Sequence, residues 1–295
     1  MIISEIVYEL RKYFKSGFDN VEKNRKFLET LSAFAPDFHF KVKKEVIQFE
    51  NFDAEWLKIK NATHHVILYL HGGGYTSGSA NTHRSLVSEI CEKGNFNALI
   101  PNYRLAPENP YPCGFKDAVS SYNYLLENGY APHQIIIAGD SAGGGLTMAL
   151  LYYLKDHQQP LPKAAILICP WTDLKNTGKS IQKENNDPFI NTKAMDFIAH
   201  IYVNNNEKVS HPYISPLYGN VKNLPPIYIQ AGGKDPIRDD AIRLHQKIIE
   251  YGGKSKLEVF PGMFHVWHAF YFFLPDGRKA LNSIATFARY QFDLS

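Results

Sequence analysis

The sequence has few cysteines and no long apolar run, and these two absences exclude several classes of protein. Its three cysteines, Cys91, Cys113 and Cys169, are odd in number and form no Cys-x-x-Cys pair. Such a set predicts neither a disulfide framework nor a metal site, and it favours reduced thiols in the cytoplasm. The apolar runs have the length of a strand, so we expect no stable insertion into a membrane.

The chain also lacks a strong excess of charge and the pattern of a leader peptide. Lys and Arg number 32 and Asp and Glu number 29, which gives a formal net charge of +3 with the basic residues scattered. This balance indicates no nucleic-acid partner. Glu5 and Glu9 lie where a secretory signal would have cationic residues and then an apolar core. We therefore expect a cytoplasmic protein.

The composition that is present indicates one packed α/β domain over residues 1–295. Hydrophobic residues make up 44% of the chain and aromatic residues 14%, as in globular proteins. Two antiparallel strands, Val42–Phe49 and Ala54–Lys60, precede a regular alternation of strands and helices that begins at Val66. This alternation predicts a mostly parallel eight-stranded sheet covered by helices on both faces.

Two regions depart from the alternation and predict a cap over the sheet. Residues 2 to about 34 have the spacing of two amphipathic helices. Residues 172 to about 222 are rich in Asn, Lys and Pro and contain one helix, Thr192–Val203. Insertions of this length in a compact domain are usually functional loops. We predict cap elements at about 1–36 and 172–222; the alternative for the second is a long surface connection.

The clearest chemical motif is Gly139-x-Ser141-x-Gly143. It follows a run of three isoleucines that predicts a buried strand, and it precedes a largely apolar helix. A sharp turn that strains the serine backbone needs residues almost without side chains two positions before and after it. The turn would place the hydroxyl at the helix N-terminus, beside the free N–H of Ala142. Taken alone, the pentapeptide fits an ordinary glycine-flanked loop as well, because short motifs recur by chance.

A serine nucleophile needs a base, and in sheets of this kind the order along the chain is serine, acid, histidine. His265 lies in a loop after the predicted strand Leu257–Phe260. His245 is in the middle of a predicted helix, where a surface or packing role is expected, and His268 falls in the next helix. His265 is therefore the predicted base.

The acid should follow the predicted strand Ile227–Ala231. Asp235 lies in the loop directly beyond this strand, before Pro236. Asp239 and Asp240 have the positions of first-turn residues in the next helix, where a carboxylate is favoured by the helix dipole. Asp235 is therefore the predicted acid.

A glycine loop, His71-Gly-Gly-Gly74, follows another strand and precedes a helix. Adjacent glycines let backbone N–H groups converge on one point. These groups and the N–H of Ala142 would bind the oxyanion of a tetrahedral intermediate. A triple glycine by itself is also compatible with a flexible turn.

Five motifs in order resemble the hormone-sensitive-lipase-like esterases of the α/β-hydrolase superfamily. They are His71–Gly74, Tyr103–Glu108, Gly139–Gly144, Asp235–Asp239 and the loop of His265. The resemblance spans about residues 40 to 290. It implies the α/β-hydrolase fold with a cap, and a cofactor-free, cytosolic carboxylesterase acting on short-acyl esters.

The resemblance also implies that the oxyanion donors are Gly73, Gly74 and Ala142. Two departures are visible: Asn102 stands where the family often has Asp, and His265 is followed by Val-Trp in place of the frequent Gly-Phe. Both bear on the shape of the pocket, because neither touches the three predicted catalytic residues.

The predicted reaction is hydrolysis of a small-molecule ester through an acyl-enzyme, by Ser141, His265 and Asp235. An amidase or peptidase would use the same triad. A ligand-binding protein on a hydrolase scaffold would need one of the three residues to be missing. A capped pocket with aromatic residues near it predicts acyl chains of about two to six carbons. The aromatic residues expected there are Tyr75, Trp171, Phe189, Tyr202 and Trp267. The physiological ester, the stereochemical preference and a homo-oligomeric state are left open by the sequence.

Overall fold

Eight strands form one sheet in the computed structural model, which describes residues 20–36, 42–181, 187–204 and 207–294. The strands are β1 (Val42–Gln48), β2 (Asp53–Ile59), β3 (Val66–Leu70), β4 (Asn97–Pro101), β5 (Ile135–Asp140), β6 (Ala164–Ile168), β7 (Ile227–Gly232) and β8 (Ser255–Phe260). Their order across the sheet is β1-β2-β4-β3-β5-β6-β7-β8. Strand β2 is antiparallel to both of its neighbours, and the other pairs are parallel. The predicted eight-stranded, mostly parallel sheet is confirmed.

Seven α-helices accompany the strands in the described residues. They are α1 (Val21–Ser32), α2 (Ala80–Gly94), α3 (Cys113–Glu127), α4 (Ala142–Asp156), α5 (Thr192–Val203), α6 (Arg238–Glu250) and α7 (Pro275–Gln291). Helix α1 is the second of the two helices predicted near the N-terminus; the first lies outside the described residues. Helix α5 has the predicted bounds.

Helix α2 begins at Ala80, directly after Ser79. The reason is a capping box in which Ser79 Oγ accepts a hydrogen bond from the N–H of Thr82, and Thr82 Oγ1 accepts one from the N–H of Ser79. Such a pair satisfies two backbone donors at a helix start. Ser79 is therefore the N-cap, and Thr82 is the third helical residue.

The isoleucine run of β5 explains how the helices pack. Ile135 and Ile137 belong to a buried cluster with residues of α3, α4 and α6. Ile136, which points to the other face of the sheet, belongs to a second cluster with residues of α2 and α7. All three side chains are fully buried. A central strand covered on both faces is accordingly apolar at every position.

The sheet order brings the predicted site residues to one edge. Strands β3, β5, β7 and β8 run parallel in one half of the sheet, so their carboxyl ends share one edge, where ligands bind in open α/β sheets. The loops after these strands carry the glycines of His71–Gly74, Ser141, Asp235 and His265. Within the described ranges, none of the helices has the length and apolarity needed to cross a bilayer.

Candidate active site

Ser141 lies at the sharp turn between β5 and α4 and has a strained backbone. Its φ is 52° and its ψ is −122°, a conformation that non-glycine residues rarely adopt. A Cβ atom on Gly139 would be 2.4 Å from the carbonyl oxygen of Gly143, and one on Gly143 would be 1.9 Å from that of Leu70. The two glycines are required because backbone occupies the space that side chains would need.

Hydrogen bonds hold this turn against the end of β6. The N–H of Ser141 donates to the carbonyl of Ile168 at 2.8 Å, and the carbonyl of Ser141 accepts from the N–H of Trp171 at 2.9 Å. The side chain of Ser141 is buried but reaches a cavity. The strain at this residue is thus maintained by the surrounding backbone.

His265 and Asp235 form a buried pair at the ends of β8 and β7. Nδ1 of His265 lies 2.9 Å from Oδ2 of Asp235, and 4% of the histidine and 2% of the aspartate are exposed. The other oxygen of Asp235 accepts from the N–H of Ile237 at 2.9 Å. Because a carboxylate only accepts, the proton of the neutral imidazole belongs on Nδ1, and Nε2 is left as a proton acceptor.

The charges around His265 favour its protonated form. Burial alone would lower the pKa of this histidine, but the neighbouring carboxylates of Asp235 and Asp187 outweigh that effect and raise the pKa above its ordinary value. An imidazolium that forms during a reaction is therefore stabilised at this position.

The other two candidate acids, Asp239 and Asp240, bind elsewhere. Both lie in the first turn of α6, as predicted. Oδ2 of Asp239 accepts from the N–H of Ser180 at 2.9 Å, and Oδ2 of Asp240 accepts from the N–H groups of Thr172 and Asp173, each at 2.8 Å. Burial raises the pKa of Asp240 to about 8. Both carboxylates anchor the start of the 172–222 segment to α6.

The other candidate histidines also have partners away from Ser141. His245 lies in α6, with Nδ1 2.9 Å from Oγ of Ser255. His268 lies in a short 3₁₀ turn, where its Nε2 is 2.8 Å from Oε1 of Gln230. Both have structural roles in the packing of the sheet edge.

The glycine loop has the backbone freedom that only glycine provides. Gly73 has φ of +118° and Gly74 has φ of +66°. In the part of the chain that the structure describes, neither N–H donates a hydrogen bond to the protein. Ala142 is the first residue of α4, so its N–H has no acceptor within its own helix. Three donors are thus available near Ser141 for an anion.

Asp140, directly before Ser141, has no predicted role, and it ties the glycine loop to the end of β5. Its Oδ1 accepts from the N–H of Gly72 and from the hydroxyl of Tyr69, each at 3.0 Å. Nε2 of His83 lies 3.3 Å from the same oxygen. The only sequence signal was the presence of Asp140 inside the Gly139–Gly144 motif.

Cys169 lies beside the Asp235–His265 pair. The sequence did not predict this position. Its sulfur and one ligand atom of each of these two residues all lie within 4.8 Å of one another. Burial raises the pKa of the Cys169 thiol well above its ordinary value. The sulfur is therefore uncharged beside the carboxylate of Asp235.

A cavity of about 530 Å³ opens beside Ser141 and His265, and its wall is mainly apolar. Gly73 and Gly74 of the glycine loop also line it. Side chains from α1, α5 and the loops complete the wall, among them Phe27, Leu31, Trp171, Phe189, Met195, Ile198 and Phe270. Both regions predicted as cap elements therefore contribute to this cavity.

Of the five aromatic residues expected around the sheet edge, two line the cavity and three are buried behind it. Trp171 and Phe189 line the cavity. Tyr75 and Tyr202 are buried and stack on each other with ring centroids 3.8 Å apart, and Trp267 is fully buried in the core. These three rings pack the protein interior behind the site, because large aromatic side chains near a sheet edge also serve the core.

Helix α1 is attached to the glycine loop by Arg25. Its Nε donates to the carbonyl of Thr76 at 2.7 Å, and its Nη2 donates to the carbonyl of Ala106 at 3.0 Å. The guanidinium also binds both oxygens of Glu108, at 2.9 and 2.7 Å. The Tyr103–Glu108 motif therefore holds α1 against the loop.

The chain is similar in sequence and fold to known α/β hydrolases and esterases. A family model described as an alpha/beta hydrolase fold matches residues 67–269. An acetyl-hydrolase of Streptomyces hygroscopicus is 37% identical over 246 residues, which are 83% of this chain and 82% of that protein. The crystal structure of an esterase from the bacterial hormone-sensitive lipase family has a TM-score of 0.93 at 35% identity and covers 99% of both chains. A crystal structure of EstE5 soaked with p-nitrophenyl butyrate has a TM-score of 0.86 at 38% identity and covers 92% of both.

Proposed function

Because the chain belongs to the hormone-sensitive-lipase-like family of α/β hydrolases, we propose that it is a serine carboxylesterase that cleaves short-acyl esters through an acyl-enzyme. The observation that carries this proposal is the buried hydrogen bond between His265 and Asp235 at the cavity that Ser141 also lines. The acetyl-hydrolase and esterase relatives support the same class of reaction.

In the proposed reaction, Ser141 Oγ attacks the ester carbonyl carbon while Nε2 of His265 takes the hydroxyl proton. Asp235 holds the Nδ1–H and stabilises the imidazolium that forms. The N–H groups of Gly73, Gly74 and Ala142 bind the negative oxygen of the tetrahedral intermediate. The intermediate collapses, His265 returns the proton to the leaving alcohol, and the acyl group remains on Ser141. A water molecule then gives a proton to Nε2 of His265 and attacks the acyl carbon. The bond from this carbon to Ser141 Oγ breaks, His265 returns the proton to Oγ, and the carboxylic acid leaves.

The proposed range of about two to six acyl carbons is supported by the character of the cavity wall. This mainly apolar wall favours burial of methylene groups, each worth about 0.8 kcal/mol. A pocket of limited volume rejects a chain that exceeds it. Ile198 and Trp171 are two of the bulky side chains in the wall around Ser141. The small ester soaked into EstE5 is a butyrate, which lies within the proposed range. The cytoplasm is the proposed location, in agreement with three free cysteines.

The experiment uses purified wild-type protein and Ser141→Ala, with Ser88→Ala as the matched control. Ser88 is a buried serine in α2 whose hydroxyl has no hydrogen-bond partner among the described residues. Each protein is assayed on p-nitrophenyl esters of increasing acyl length and on the anilide analogues, and labelling by a fluorophosphonate is followed by mass spectrometry. We expect Ser141→Ala alone to lose turnover and labelling. If Ser141→Ala kept its turnover, Ser141 would not be the nucleophile. Faster cleavage of anilides than of esters by the wild type would identify an amidase.

A further inference from the structure

We propose that Asp187, a residue of the 172–222 segment, is a positioning residue for the catalytic histidine. It fixes the main chain of His265 from the cap side, so that the cap supplies part of the support of the triad. This inference rests on the proposed function, in which His265 is the base.

The contact is short, buried and distant in sequence. Oδ2 of Asp187 accepts a hydrogen bond from the backbone N–H of His265 at 2.6 Å, across 78 residues of chain. Oδ1 accepts from the N–H groups of Phe189 at 2.8 Å and Ile190 at 3.0 Å. Only 2% of Asp187 is exposed. Both oxygens act as acceptors, which is the pattern of an ionised carboxylate.

The main chain of the His265 loop needs such support because it is strained. Val266, the next residue, has φ of 49°, in the left-handed region that β-branched residues avoid. Strain of this kind persists where surrounding contacts hold it. The side chain of His265 is fixed at Nδ1 by Asp235, and the backbone is fixed at N–H by Asp187. The carboxylates of Asp235 and Asp187, which lie in different loops, together fix the orientation of Nε2 of His265.

The charge of Asp187 acts on the same imidazole. His265 is faced by the carboxylates of Asp235, Asp187 and Asp140 and by the uncharged thiol of Cys169. Burial and the nearby Asp235 raise the pKa of Asp187. The ionised form of Asp187 adds to the negative potential that stabilises the imidazolium, so its removal lowers the pKa of His265.

The neighbouring Phe189 connects this contact to the cavity. Its ring lies 6.2 Å from that of Phe27 in α1, 5.8 Å from Phe264 and 5.6 Å from Phe270, between centroids. Phe27, Phe189 and Phe270 line the cavity. A substrate that packs on these rings therefore contacts the same segment that holds the His265 backbone.

The test compares Asp187→Asn with wild type, with Asp196→Asn as the matched control. Asp196 lies on the exposed side of α5 in the same segment, where its Oδ1 accepts from Asn176. In Asp187→Asn one oxygen becomes an NH₂ donor that opposes a backbone N–H, and the charge is lost. We expect kcat to fall by roughly ten- to a hundred-fold, the loss typical of a charged hydrogen bond, and the acid limb of kcat/KM to move to lower pH. Asp196→Asn should change neither.

A second variant, Asp187→Glu, separates charge from position. It keeps the negative charge and displaces it by one methylene, so we expect a lower kcat with the acid limb close to its wild-type pH. If Asp187→Asn does not fold, this variant decides: an unchanged kcat overturns the proposal.

A purely structural anchor would give another result. It would lower the melting temperature of Asp187→Asn and leave both kcat and the acid limb in place, and that outcome also overturns the proposal. Asp235→Asn is measured in parallel. If it is crippled while Asp187→Asn is normal, the inference fails and the triad stands; if both are normal, the assignment of the triad itself fails.

Discussion

Nδ1 of His265 lies 2.9 Å from Oδ2 of Asp235, whereas Asp239 and Asp240 bind backbone N–H groups of the 172–222 segment. Asp235→Asn keeps the size of the side chain but permits the wrong imidazole tautomer. We expect kcat/KM on one short ester to fall by on the order of 10²–10⁴. Asp239→Asn retains the acceptor for Ser180 and should stay near wild type. An active Asp235→Asn beside an inactive Asp239→Asn would reverse the assignment of the acid.

The pH profile should show a limb above the ordinary imidazole pKa of about 6.5. His265 must be neutral to accept the proton of Ser141, and its pKa is raised by Asp235 and Asp187 despite burial. Below that pKa the histidine is protonated and activity is lost; activity rises as pH increases through it. The measurement is kcat/KM from acid to alkaline pH, and in Asp235→Asn any residual activity should have its limb at lower pH. A flat profile with chemistry limiting would be incompatible with a histidine base.

Gly74→Ala should impair catalysis more than stability. The residue has φ of +66°, and a Cβ there would lie 3.1 Å from Cγ2 of Ile198, so the peptide shifts and its N–H moves away from the oxyanion. Loss of one such donor lowers kcat by about 10²–10³-fold. Gly129→Ala is the control, since Gly129 also has a positive φ, of +87°, and nothing within 4 Å of a new Cβ. We expect the control to change the melting temperature alone. Equal kcat values for both variants would place the oxyanion donors elsewhere.

Ile198→Ala should extend the range of acyl chains or bulky alcohols that the cavity accepts. The side chain of Ile198 lines the cavity beside Gly74, and its truncation removes three carbon atoms from the wall. We expect the rate on longer esters relative to acetate to rise by about tenfold, the typical effect of one or two methylenes in a pocket. Phe197→Ala on the same helix is the control, because this ring is 46% exposed. A profile of acyl length that is identical in Ile198→Ala and wild type would exclude Ile198 from specificity.

Much of the architecture could be predicted because its signals are local. Apolar strands such as Val66–Leu70 are bounded by turn residues, and α5 (Thr192–Val203) is bounded by Asn191 and Asn204, which cap it. The position of Asp235 directly after β7 similarly separated it from two aspartates in a helix. Strand ends, helix caps and the position of Asp235 depend only on neighbouring residues and on the order of elements along the chain. Both can be read from a single sequence.

The contact between Asp187 and His265 could not be predicted, because it joins distant segments. In the sequence, Asp187-Pro188 has the pattern of a turn before a helix, and its partner is 78 residues further on. The same limit applies to Tyr75 and Tyr202, which stack across 127 residues of chain in the interior. Residue type and spacing predict which groups reach the sheet edge; they do not predict what packs behind it.

The contacts of Arg25 show that the segment matched by the family model is smaller than the part of the chain that builds the site. The family model begins at residue 67, yet Arg25 binds Thr76, Ala106 and Glu108 inside the matched region. A protein trimmed to the matched boundaries would expose the glycine loop to solvent on the side that α1 covers. Expression vectors and chimaeras based on this chain should therefore treat α1 as part of the catalytic unit, and a fusion partner should not be joined between α1 and β1.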